Sequence, residues 1–244
     1  MASVNQNDIE KLSFLLKLAS TIGIERLVIG NDMIRGIDEG RTAGIVMSTI
    51  KDDGTKEIDL NSKTVAITRV KMLLSRLNVI KTQGDLKIET EENGNDIVSL
   101  NLSGGKSKTT FRCATVDSVK GVPKSASDVM TWEIEIPSSF VTTLIQADAS
   151  IASDGINFNS DNTKLIITMT DSNNDNINFE FDENDPVKLI GSGTNFSNKY
   201  PSKSIITLFK EAARFNDVIK LKMGVGGLLM INIDSFEFFI VPMV

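Results

Sequence analysis

The 244-residue sequence has no histidine, which removes the commonest general base and the commonest transition-metal ligand together. A single cysteine, Cys113, excludes an internal disulfide, and its place in an alternating apolar run favours a packing role over a reactive thiol. No apolar run approaches the roughly 18 residues needed to cross a bilayer. The first residues, MASVNQNDIEKLSFLL, carry neither a basic segment ahead of an apolar stretch nor a small-residue cleavage pattern. A signal peptide is therefore not expected, and the cytoplasm is the expected location.

A complete phosphate-binding loop is also missing. Gly105-Lys106-Ser107 could end one, but the position that needs the first glycine is Leu100. A helix must follow such a loop, whereas Thr109 to Val116 alternate and are rich in β-branched residues, so this stretch is expected to be a hairpin turn leading into a strand. Catalysis would have to rest on carboxylates, lysine or hydroxyls. Acidic residues do cluster in TDSNNDN (170–176) and FDENDP (181–186), yet neither has calcium-loop spacing, and solvated loops explain them better. No cofactor and no metal are expected, and the chain is not expected to be an enzyme.

What is present is a globular composition, 41% apolar and 24% charged, with a formal net charge of −6. Four stretches carry helical spacing: 8–22, behind Asn7 or Asp8 as a cap, then 66–80, 138–149 and 202–216. The rest reads mostly as strands, among them RLVIG, GIVMSTI, DIVSLNLS, TWEIEI, NINFEF and FEFFIVPMV. The order repeats: a helix ending LLSRLN, strands, a Gly-Gly turn and more strands is mirrored by EAARFN, DVIKLKM, a second Gly-Gly turn and two final strands. Two copies of one domain are expected, over 1–117 and 132–244, joined by a linker at 118–131 where Gly121 and Pro123 break the periodicity.

At about 100° per residue, Lys203, Lys210 and Arg214 fall within roughly 40° of one another, opposite the apolar stripe of their helix. Arg69 and Arg76 are likewise nearly in line, with Lys71 further round the same arc, and the first helix presents Lys17 centrally and Lys11 at its flank. The third helix is nearly uncharged. Basic helix faces on an acidic chain are what a phosphate-facing surface requires.

This arrangement, with GNDMIRGIDEGRTAGIVMSTI (30–50), SIITLFKEAARFNDVIKLKMGVGGLLMINI (204–233) and the late proline of FFIVPMV, resembles the sliding clamps of the proliferating-cell-nuclear-antigen type, among them those of large DNA phages. It departs from that family in the third helix and over residues 183–201. The resemblance implies an α+β fold of two tandem clamp domains, each with antiparallel sheets packed on two helices, forming a pseudo-sixfold ring as a homotrimer. It further implies a processivity factor that encircles double-stranded DNA and tethers DNA polymerase and a clamp loader through short hydrophobic motifs. The DNA-facing residues would be Lys11, Lys17, Arg69, Lys71, Arg76, Lys203, Lys210 and Arg214. A partner pocket would be walled by Ile37, Ile45, Val119, Val122, Val241 and Pro242. Ring closure would pair edge strands near 108–116 and 175–182. A subunit of a heterotrimer, a β-rich viral structural or assembly protein, and a hydrolase using clustered carboxylates stay open as alternatives.

Overall fold

The computed structural model describes residues 2–119, 121–123, 128–160, 164–191 and 195–243. The chain divides into two compact units, one of residues 1–40 and 44–125, the other of residues 41–43 and 126–244.

In the first unit the elements are β1 (Ala2–Ser3), α1 (Gln6–Ile22), β2 (Ile24–Ile29), β3 (Met33–Asp38), β4 (Ala43–Ser48), β5 (Thr64–Ile67), α2 (Val70–Lys81), β6 (Lys87–Asn93), β7 (Asp96–Gly104) and β8 (Ser107–Arg112). The strands run in the order β1-β6-β7-β5-β2-β3-β4, and β8 also pairs with β7. Helix α1 starts two residues earlier than its spacing implies, because Asn5, rather than Asn7 or Asp8, is the cap: its side-chain carbonyl accepts from the Asp8 N–H at 2.9 Å. It buries Ile9, Leu12, Leu15, Leu16 and Ala19 and ends at Gly23, whose φ of 88° few other residues adopt.

Helix α2 corrects the expected 66–80 segment. Residues 64–67 form strand β5, with Ile67 opposite Leu27 and Val65 opposite Ile29 on β2. Ile67 lies three residues before Val70, so it fits a helical period as well as a strand, and the β-branched run TVAI goes to the sheet. The Gly-Gly stretch is the expected hairpin: Gly104 pairs with Ser107 across a turn in which Gly105 has a φ of 54°.

The second unit contains β9 (Met130–Pro137), α3 (Ser138–Ile151), β10 (Gly155–Ser160), β11 (Leu165–Thr170), β12 (Asn176–Phe181), β13 (Lys188–Gly191), β14 (Ser197–Pro201), α4 (Ser202–Ala212), β15 (Val218–Gly224), β16 (Leu229–Ile233) and β17 (Phe236–Ile240). Two sheets form, β13-β9-β15-β16-β17 and β12-β11-β10-β14. This repeats the first unit element by element, with β9 in the place of β1 and β17 in the place of β8, except that β13 is added against β9. The addition falls in 183–201, the stretch that departs from the family pattern. Strand β9 starts at Met130, inside the expected linker; residues 120 and 124–127 of that linker lie outside the described residues. Helix α4 stops at Ala212 rather than 216, so Arg214 and Phe215 belong to the turn that follows.

Among the described residues no helix is long and apolar enough to cross a membrane. Each unit has its own apolar interior, built on Leu12, Leu16, Leu73 and Phe111 in the first and on Phe158, Tyr200, Phe209 and Phe238 in the second. The buried Tyr200 hydroxyl donates to the Gly227 carbonyl at 2.7 Å, and Asp128 accepts from the Gly226 and Leu228 N–H groups at 3.0 and 3.1 Å, so the turn from β15 to β16 is fixed by two side chains.

Candidate functional site

Helices α1 and α2 pack together, and a groove of about 870 Å³ between them is lined by Glu10, Phe14, Lys17, Asn78, Lys81 and Asp85. Lys17 is exposed there, as expected. Lys81, in the last turn of α2, is a further exposed cation of the groove. It lies one residue past the expected helix end, and only the continuing helical period could have revealed it.

Lys11 does not face outward as a free cation. Its ammonium lies 3.0 Å from Glu57, a carboxylate only 2% exposed that also binds Lys51 at 2.9 Å. Lys11, expected on a DNA face, is thus paired with a buried acid that spacing along one helix could not reveal. Glu57 in turn holds the Lys51 ammonium above its ordinary pKa, chiefly by hydrogen bonding.

Arg69 and Arg76 are redirected in the same sense. Both guanidinium groups lie over the Phe111 ring of β8, with Cζ at 5.1 and 5.7 Å from its centroid. Arg76 donates to the Thr110 carbonyl at 2.7 Å and Arg69 to the Arg112 carbonyl at 3.2 Å. Arg69 precedes α2 instead of lying on it, so the two arginines meet over the strand beneath them and not along one ridge of a helix. Lys71 is exposed and pairs loosely with Glu25 at 3.7 Å, a contact of little energetic weight.

In the second unit Lys203 and Lys210, two helical turns apart, are exposed on one side of α4 and have no ion-pair partner among the described residues. Arg214 is held by Glu211 through contacts at 2.8 and 2.7 Å, so most of its charge is compensated locally. Helix α3 packs on α4, and its one acidic residue, Asp148, accepts from the Ser202 hydroxyl at the start of α4.

Of the expected pocket walls, Ile45 is fully buried inside the first unit and has no surface to offer, because its strand turns it into the core. Ile37, Val119 and Val122 of that unit are half-buried. In the second unit Val241 and Pro242 are half-buried, and the chain beyond β17 runs beside β14, with the Met243 N–H donating to the Lys199 carbonyl at 2.6 Å.

Among the described residues β1, β8, β12, β13 and β14 each have a strand neighbour on one side only. Of these, β8 and β12 overlap the stretches expected to close a ring. The helices carry seven cationic and four acidic side chains, a net of +3 in a chain of −6, so the residues outside the helices stand at −9.

No family model matches the chain, and no curated protein matches it by sequence. Solved structures do. A PCNA from Thermococcus kodakaraensis is 16% identical with a TM-score of 0.65, each chain covered to 99%. A PCNA of A. fulgidus, bound to the C-terminal region of FEN-1, is 14% identical with a TM-score of 0.69, over 100% of this chain and 99% of that one. The PCNA2-PCNA3 complex from Sulfolobus tokodaii matches at 19% identity and a TM-score of 0.66, over 98% of each chain. The fold is that of the PCNA clamps. At these identities the likeness is one of architecture, both tandem units included.

Proposed function

We propose that this protein is a DNA sliding clamp: a non-enzymatic ring that encircles duplex DNA and serves as a polymerase processivity factor. The observation that carries the reading is the coincidence of a full-length PCNA fold with cationic helices on an otherwise acidic chain. A ring built from helices of net positive charge attracts phosphates without reading bases, so it can slide, while its acidic remainder repels DNA elsewhere. Lys17, Lys71, Lys81, Lys203 and Lys210 are the residues proposed to face the duplex.

The proposed assembly is a homotrimer of this two-unit chain, which supports a six-domain ring with closed symmetry. The S. tokodaii complex joins two different clamp chains, so a heterotrimer is the alternative within the same reading. Because the A. fulgidus PCNA holds the C-terminal region of FEN-1, we extend the proposal to clients, a polymerase and a clamp loader, that dock short hydrophobic segments. Val119 and Val122 in one unit, and Val241 and Pro242 in the other, are each proposed to take apolar client side chains. The proposed setting is the cytoplasm, and the phage-encoded clamps are the proposed branch of the family.

Light scattering of the purified chain, followed by retention on nicked circular and on linear DNA, tests the reading. A trimer that stays on the circle and slides off the linear ends is the expected result. A monomer at micromolar concentration, or equal retention on both substrates, rejects it.

A further inference from the structure

Strand β13 has no counterpart in the first unit, and it leaves a sheet edge open. The phase of that edge follows from its neighbours. The Ser138 N–H donates to the Asp217 carbonyl at 2.8 Å, one step beyond the Pro137–Val218 pair of β9 and β15, so Ile136, Ile134 and Trp132 bond towards β15. Glu135 and Glu133 then bond towards β13, where they meet Lys188 and Ile190. Leu189, between those two, turns its N–H and C=O away from β9, and among the described residues no strand receives them. Its side chain lies on the sheet face shared with the buried Ile134, beside a cavity of about 760 Å³. Trp132, Leu165, Phe181 and Val187 give this cavity an apolar floor, each at most 9% exposed. Ile190 is on the opposite face and is 47% exposed. Shortness blunts an edge against chance pairing, whereas an apolar cavity beside it and an exposed isoleucine on its other face invite an occupant.

The loop between β12 and β13 supplies charge of one sign. Residues 182–187 contain Asp182, Glu183 and Asp185 and no base, and none of the three has an ion-pair partner among the described residues. Asp182 accepts from the Asn184 N–H and Asp185 from the Asp182 N–H, both at 2.8 Å, so the loop is a fixed turn, and Asp182 and Glu183 are exposed on it. Of the two cations at the cavity, Lys164 is paired with Glu180 at 3.4 Å, and Lys188 donates to the Glu183 carbonyl at 2.6 Å. Three carboxylates therefore stand against one uncompensated lysine. Among the described residues these acids form no metal site.

We propose that this edge is a docking site for an extended segment of a partner protein, separate from the client surfaces at Val119 and Val122 and at Val241 and Pro242. The segment pairs antiparallel with β13, as β9 does, and its anchor residue sits opposite Leu189 with its side chain in the cavity. The residue before the anchor then lies opposite Ile190 on the exposed face, and the residues after it run past Lys188 towards Asp182 and Glu183. This order sets the chemistry of the partner: an apolar residue, an aromatic or leucine anchor, and one or two cations beginning two positions later. A second β13 does not fit, because it carries Gly191 where the first cation is needed. A small molecule in the cavity would leave the Leu189 N–H and C=O unpaired. Neither the ring nor the DNA-facing helices enter into this site, so it stands or falls apart from the clamp reading.

The test is fluorescence anisotropy on the full chain with a labelled peptide, Thr-Val-Phe-Thr-Lys-Lys-Thr, at low salt. Saturable binding below about 1 mM is expected. Serine in place of the phenylalanine is expected to weaken it at least about tenfold, and the reversed order, Thr-Lys-Lys-Thr-Phe-Val-Thr, at least about threefold. Glu183→Lys, at an exposed position, is expected to weaken the parent peptide about threefold to tenfold at low salt, and the difference should vanish in about 0.5 M salt. Leu189→Pro takes away the outward N–H and no bond to β9, and is expected to abolish binding while DNA retention is unchanged. Where it also lowers stability in urea unfolding, the peptide exchanges and Glu183→Lys decide. No saturation by about 1 mM, or equal binding of the phenylalanine and serine peptides, overturns the docking site. Loss of self-association in a folded Leu189→Pro overturns it too, since a second copy then covers the edge.

Discussion

The Lys11 ammonium lies 3.0 Å from the Glu57 carboxylate, so a residue at the flank of α1 neutralises an acid that is 2% exposed. Lys11→Met is expected to cost about 1 to 2 kcal/mol, because Lys51 still balances Glu57. Urea unfolding should show this loss and DNA retention should not change. A variant of wild-type stability and weakened retention would return Lys11 to the DNA face.

Lys203→Glu with Lys210→Glu should leave the fold intact, since both project from the exposed side of α4. Retention on circular DNA should fall, and its salt dependence should flatten by roughly 0.9 in log–log slope for each phosphate contact removed. With no histidine in the chain, wild-type retention is expected to be level between about pH 6 and 8. Titrating retention against salt and pH checks both statements.

Tyr200→Phe removes one hydroxyl from a buried site and leaves the ring contact with Phe158 in place. The Gly227 carbonyl then loses its donor, and a destabilisation of about 1 to 2 kcal/mol is expected in thermal or urea unfolding. Burial holds the Tyr200 hydroxyl well above its ordinary pKa, so the wild-type phenol should not ionise on raising the pH until the protein unfolds.

Burial also pushes the Cys113 thiol up to about 12 from an ordinary value of 9.0. Iodoacetamide at pH 8 should therefore label the folded chain more than about a hundredfold more slowly than the chain in urea. The linked stability is present below about pH 9 and is lost as the pH climbs toward 12, because only the unfolded thiol ionises in that interval. Rapid labelling of the native protein would contradict the half-buried setting of the thiol.

Patterns with one period and one partner survived the passage from sequence to structure. The leucines of α1, the Gly104-Gly105 hairpin and the cations of α4 are set by local spacing, and they lie where spacing puts them. What could not be seen were the partners brought from a distance. Glu57 takes Lys11 from 46 positions away, and the carbonyls of Thr110 and Arg112 take Arg76 and Arg69 from 34 and 43. A wheel drawn for one helix shows which way a side chain leaves, not what it meets. Ile67 shows the same limit for secondary structure: its spacing suited a helix, and pairing with Leu27 decided for a strand.

At the tip of the β7–β8 hairpin, a side chain on Gly105 would come within 2.1 Å of the Gln83 carbonyl, so the turn sits directly on the corner that follows α2. Its length is therefore not free to drift. A one-residue insertion there would lift the tip off the corner and rotate every later position of β8 by half a period, sending Phe111 into solvent and Lys108, Thr110 and Arg112 inward. Mutational tolerance at this hairpin should thus be graded by length and by the room at Gly105: exchanges at Lys106 accepted, side chains at Gly105, additions and deletions rejected.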